Sequence, residues 1–150
     1  MSRTTQEAFL VNPLRTPIGR FGGALATTRS DDLLGGVFAA VIRASGVDPA
    51  SFDDVIAGCA NQAGEDNRNV ARMAALLAGV PQTVPGVTVN RLCASSLEAV
   101  NMATKAIWAG ESDMLLVGGV ESMSRAPYVV ARNATGKPTF GNQVSFDTAL

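Results

Sequence analysis

Short apolar runs alternate with helical repeats along this chain, and that alternation restricts it to a sheet joined by helical crossovers. Residues 8–11 predict a strand that stops at Asn12-Pro13, because proline has no N–H to give to a ladder. A Gly-rich loop follows. Ser30, Asp31 and Asp32 mark a helix start, and Leu33, Leu34, Val37, Phe38, Val41 and Ile42 recur at helical spacing until Gly46. Residues 54–57 predict a second strand, residues 69–78 a second helix closed by Gly79, and residues 86–89 a buried third strand rich in β-branched side chains. A third helix begins near Cys93, with Leu97, Val100, Thr104 and Ile107 on its apolar face and Gly110 as its stop. Residues 114–117 complete the series as a fourth strand. The order βαβαβαβ implies an α/β fold whose parallel sheet is covered by helices on both faces.

Beyond Gly118-Gly119 the periodicity fades. Residues 1–120 therefore read as the core of one domain, and residues 121–150 as an irregular connection or the opening of a second unit. With 47 % hydrophobic residues in a length of 150, the chain can close one packed core. Twelve basic against thirteen acidic residues, without a Lys/Arg block, give no electrostatic basis for a nucleic-acid or membrane partner, so a small-molecule site is expected. The N-terminal residues lack the apolar core of a signal peptide, and no run is long enough to span a bilayer, so a soluble cytoplasmic protein is expected. Cys59 and Cys93 are too far apart in sequence for a CxxC or zinc pattern. No metal site is expected.

The segment from Val87 to Ser96 carries the most chemistry. It places a strand, a turn and a helix start in immediate succession, with Cys93 in the expected first turn. Unpaired N–H groups and the positive end of the helix dipole favour a thiolate there, and the same N–H groups can donate to an acyl oxygen as it becomes negative. The alternative is a small buried apolar residue, as most free cysteines are. Histidine, the usual base for such a nucleophile, is absent from the chain.

Asn90-Arg91-Leu92-Cys93-Ala94-Ser95 is similar to the nucleophile motif of thiolases, and Gly118-Gly119-Val120-Glu121-Ser122-Met123-Ser124 resembles a second signature of that family. The loop Arg15-Thr16-Pro17-Ile18-Gly19-Arg20-Phe21-Gly22-Gly23 matches the same family, and the resemblance runs over nearly the whole chain. The segments from Gly58 to Arg72 and from Arg125 to Tyr128 look most like the 3-oxoadipyl-CoA thiolases of aromatic-compound breakdown. The resemblance implies a thiolase-like N-terminal half-domain, truncated before its last strand, with 121–150 beginning the loop domain. It implies acyl transfer through an acyl-Cys93 intermediate. Acyl-CoA and coenzyme A are then substrates, no separate cofactor is needed, and the assembly is a homodimer or homotetramer. The family's activating His and second Cys belong to a C-terminal half, so the chain reads as part of a longer enzyme. A ketosynthase-type condensing enzyme and a non-catalytic thiolase-like lipid or acyl-CoA carrier are the alternative readings.

One position departs from the family. Ser96 stands where thiolases usually carry Gly, and its side chain sets a question about close packing beside the nucleophile turn. Met123 follows the double glycine at a strand's C-terminal end, where open parallel sheets place ligands, and reads either as a neighbour of the acyl pocket or as core filler. Cys59 follows a strand directly and reads as packing. Gly19, Gly22 and Gly23 fit neither a dinucleotide nor a P-loop spacing, and Gly136-Lys137-Pro138 reads as a turn. Residues 64–69 read as a solvated loop, or, through the resemblance, as part of a subunit contact.

Overall fold

The computed structural model describes residues 6–61, 64, 68–132, 136 and 141–149. Three parallel strands, β1 (Asp54–Gly58), β2 (Gly86–Val89) and β3 (Leu115–Gly119), form a sheet in the order β2-β1-β3. Helix α1 (Ser30–Ser45) precedes β1, α2 (Val70–Leu77) links β1 to β2, and α3 (Ser95–Ala109) links β2 to β3. The parallel α/β architecture agrees with the sequence reading. The register pairs Val55 with Gly86 and Leu116, and Gly58 with Val89 and Gly119.

Each helix begins and ends where local chemistry allows. Asp31 and Asp32 lie in the first turn of α1, where the helix dipole favours negative charge. Its end is a left-handed Gly46, φ 67°, whose N–H donates to the Ile42 carbonyl at 3.0 Å. Asn69 caps α2 by accepting the Arg72 N–H at 3.3 Å. The Asn69 side chain also donates to the Gly86 carbonyl and accepts from the Thr88 hydroxyl, so the same cap fastens α2 to β2.

Strand alternation sorts the core into two faces. Val55, Ala57 and Leu116 point to the side covered by α1 and α2, where Leu34, Phe38, Ile42, Val70, Ala71, Ala74 and Ala75 complete the larger cluster. Ile56, with Leu115 and Val117 beside it, points to α3, which answers with Ala99 and Ala103. Burial of a side chain such as Phe38 or Val55 contributes roughly 1.5–3 kcal/mol each.

Four expectations need correction. Residues 8–11 form no strand. Phe9, Leu10 and Val11 are exposed, and a cavity of about 950 Å³ lies between residues 7–21 and the β3 edge, so among the described residues the hydrogen-bonded partner that a strand requires is lacking. The described parallel sheet therefore has three strands rather than four. The segment 86–89 is an edge strand with Val87 exposed, not a buried one, because β1 is its sole neighbour among the described residues. The buried stripe of α3 is Ser95, Ala99 and Ala103, whereas Leu97 is exposed. Small residues face the sheet because the helix lies close against it.

Residues 121–150 carry more order than their sequence suggests. A 3-10 turn spans Met123–Arg125, and β4 (Tyr128–Val130) pairs antiparallel with β5 (Ser145–Asp147). Glu65, Asp66, Asn67, Lys137 and Pro138, read above as loop, contact or turn residues, lie outside the described residues. Among the described residues no helix is long and apolar enough to cross a membrane, and no group of acidic, Cys or His side chains is arranged to hold a metal ion.

Candidate active site

Cys93 lies at the C-terminal edge of the parallel sheet, between the end of β2 and the start of α3. Its thiol is exposed. The sequence placed it in the first turn of the helix, but the structure places it two residues before Ser95, within a tight turn over residues 90–94. Leu92 has φ 50°, a left-handed conformation that costs a branched, non-glycine residue about 1–2 kcal/mol. The turn is built to hold that conformation. Asn90 Oδ1 accepts the Leu92 N–H at 2.8 Å, and Ser95 Oγ donates to the Leu92 carbonyl at 2.5 Å while accepting the Arg91 N–H at 2.9 Å. Arg91 and Glu98 form an ion pair along the outer side, with Nε to Oε2 at 3.1 Å.

Two glycines set how close this turn comes to the sheet. Gly58 and Gly119 are cross-strand neighbours at the ends of β1 and β3, and a Cβ on either would collide with the start of α3. At Gly58 the clash is with Ser95 and the Ser96 backbone nitrogen, and at Gly119 with the Ser96 side chain. Gly118, one residue earlier, faces the opposite side, where a Cβ would lie 2.7 Å from Phe38 Cε1. The Gly118-Gly119 pair thus admits α1 on one face and α3 on the other. Ser96 fits because Gly119 has no side chain, which resolves the packing question raised by its departure from glycine.

The strand ends are cross-tied at the same edge. Val120 N–H donates to the Gly58 carbonyl and Cys59 N–H to the Val89 carbonyl, each at 3.0 Å. Glu121 accepts the Ala60 N–H at 2.8 Å and the Asn61 N–H at 3.2 Å, and the Asn61 side chain donates to Thr148 at 3.0 Å. Cys59 is buried, with Sγ 3.3 Å from the Asn61 carbonyl and 3.9 Å from Glu121 Oε1, so its thiol is enclosed rather than presented.

A protein-family comparison matches residues 8–150 to the thiolase N-terminal domain. The chain belongs to the thiolase family. It is 54 % identical over 147 residues to a 3-oxoadipyl-CoA/3-oxo-5,6-dehydrosuberyl-CoA thiolase of Escherichia coli K12, covering 97 % of this chain and 36 % of that protein. Against a beta-ketoadipyl-CoA thiolase of Pseudomonas aeruginosa the identity is 57 % over 129 residues, covering 85 % and 32 %. Among solved structures, the crystal structure of the Bacillus anthracis acetyl-CoA acetyltransferase superposes with a TM-score of 0.80 at 38 % identity, covering 90 % of this chain and 34 % of that one. The chain thus spans about a third of the length of the curated relatives it matches.

Within this thiolase domain, Met123 is exposed and lines the cavity beside β3, together with Leu116, Gly119 and Phe38. Cys93 is not part of that cavity's wall. The structure does not join the two residues in one pocket. Asn90 and Glu121 stand inside the two sequence motifs, yet their type and spacing carry no signal of a joint role. Their contacts arise only because β2 and β3 flank β1.

Proposed function

We propose that this chain is the N-terminal part of a thiolase that cleaves a 3-oxoacyl-CoA, 3-oxoadipyl-CoA in particular, into acetyl-CoA and a shortened acyl-CoA. The carrying observation is the exposed Cys93 in a strained turn at the C-terminal edge of the sheet, within Asn90-Arg91-Leu92-Cys93-Ala94-Ser95. Cys93 Sγ, as the thiolate, attacks the C3 carbonyl carbon. The C2–C3 bond then breaks, its electron pair leaves with C2 and is protonated there, and acetyl-CoA departs. The acyl group stays on Cys93 as a thioester until the thiolate of a second coenzyme A attacks it and expels the cysteine. The same steps in reverse give condensation.

The printed names of the relatives support the substrate class, since they are 3-oxoadipyl-CoA and beta-ketoadipyl-CoA thiolases. The chain contains no histidine, so on this reading the base that deprotonates Cys93 and the acid that protonates the leaving carbanion are supplied by the rest of the polypeptide. Residues 121–150 begin the loop domain on this reading, and Met123 borders the acyl site once that domain is complete. The enzyme is a cytoplasmic homodimer or homotetramer that uses coenzyme A as a substrate and needs no separate cofactor.

The test is thiolysis of 3-oxoadipyl-CoA by the complete polypeptide that carries this segment. Cys93→Ala is expected to abolish turnover and the acyl-enzyme adduct seen by mass spectrometry, whereas Cys59→Ala retains both. The 150-residue chain alone is expected to show no thiolysis. Turnover that survives Cys93→Ala would overturn the assignment.

A further inference from the structure

The Ala60-Asn61 peptide unit is held at both ends. Its C=O accepts from Asn90 Nδ2 at 2.8 Å, and its N–H donates to Glu121 Oε1 at 3.2 Å. The other carboxylate oxygen of Glu121 takes the preceding Ala60 N–H at 2.8 Å. A carboxylate on the N–H side polarises a peptide and strengthens the bond that its carbonyl accepts, so the two side chains reinforce each other through the unit between them. Asn90 passes the constraint onward, because its Oδ1 holds the Leu92 N–H at 2.8 Å. Leu92 is the left-handed residue directly before Cys93, and such a conformation persists only where its surroundings over-determine it.

We propose that Glu121 and Asn90 are positioning residues for the nucleophile turn: they grip one peptide of the segment after β1 from opposite ends, and Asn90 transmits that grip to the Leu92 backbone that presents Cys93. Neither is a catalytic residue, and the proposal rests on Cys93 being the nucleophile. It also assigns a reason for Glu121 to follow the double glycine. The end of β3 meets the end of β1 there, and β1 in turn lies beside the strand that leads to Cys93.

The experiment uses the complete polypeptide with Asn90→Ala, Asn90→Ser, Glu121→Ala, Glu121→Gln and the Asn90→Ala/Glu121→Ala pair. It reads kcat and KM for thiolysis of 3-oxoadipyl-CoA, and the pH profile of Cys93 alkylation by iodoacetamide with the Cys93→Ala protein as the background. Asn90→Ala and Glu121→Ala are expected to lower kcat by about 10–100-fold with KM within about threefold, since a misplacement near 1 Å is enough for such a loss. Both shift the alkylation profile. Asn90→Ser keeps a short acceptor for the Leu92 N–H and recovers part of the loss, and Glu121→Gln, which can satisfy one of the two N–H groups, lies between Glu121→Ala and the parent. The double variant is expected to lose no more than about the larger single, because both act on one peptide.

Losses that multiply in the double variant, or a kcat and an alkylation profile both unchanged in folded single variants, overturn the proposal. If an alanine variant fails to fold, Asn90→Ser and Glu121→Gln decide by the same readouts. Cys93→Ala, run alongside, separates the two readings: its full activity refutes the nucleophile assignment, whereas its inactivity beside a fully active Asn90→Ala refutes only the positioning role.

Discussion

Gly58→Ala is the sharpest perturbation of the packing that sets the candidate site. A Cβ at Gly58 would lie 2.5 Å from the Ser95 carbonyl oxygen and closer still to the Ser95–Ser96 peptide, all of it backbone in the first turn of α3. Restoring ordinary van der Waals contact requires α3 to retreat by about 1 Å from the sheet. Gly58 has no left-handed φ, so the cost is steric alone. Overpacking of this kind costs about 1–3 kcal/mol. Because Ser95 Oγ also braces the Arg91-Leu92 turn, a displaced helix start carries Cys93 with it, and a rate loss of about 100-fold is expected. Urea unfolding and thiolysis by the complete polypeptide measure the two effects. Gly36→Ala is the control: it lies in α1 with nothing near its absent side chain, and alanine there is expected to stabilise by up to about 1 kcal/mol. A Gly58→Ala protein with unchanged unfolding midpoint and unchanged turnover would refute the close-approach argument.

Two other outcomes follow from the same structure. Asp31 is buried with Arg29 donating to both of its oxygens at 2.9 and 2.7 Å, and these bonds hold its pKa below the ordinary 3.8 although burial pushes the other way. A depressed folded pKa gives stability that is present above 3.8 and lost as pH falls through the folded value. Asp31→Asn is therefore expected to cost about 1.5–3 kcal/mol at pH 7, with the gap to the parent closing in acid, and a gap independent of pH in urea unfolding would refute the ion pair as its cause. The exposed Leu97 and Trp108 on α3, and the edges of β2 and β3 that pair with no further strand among the described residues, favour association of this chain, so light scattering is expected to show a dimer or larger species. A monodisperse monomer at micromolar concentration would refute that.

Much of this domain is written in local pattern. The helix over residues 30–45 follows from its acidic first turn and Gly46, the strand over 86–89 from β-branched residues between a glycine and Asn90, and the alternation from 54 to 119 from the switching between two side-chain periodicities. The motif around Cys93 is equally local. What sequence could not supply depended on partners distant in the chain. Residues 8–11 have a strand's composition but no ladder partner among the described residues, and Leu97 has a core residue's character but lies on the side of α3 turned away from the sheet. The buried stripe went to Ala99 and Ala103 because glycines on two other strands bring α3 close, which no pattern within α3 encodes. Likewise Glu121 and Asn90, 31 positions apart in sequence, act on one peptide only because the sheet order β2-β1-β3 sets the ends of three strands side by side.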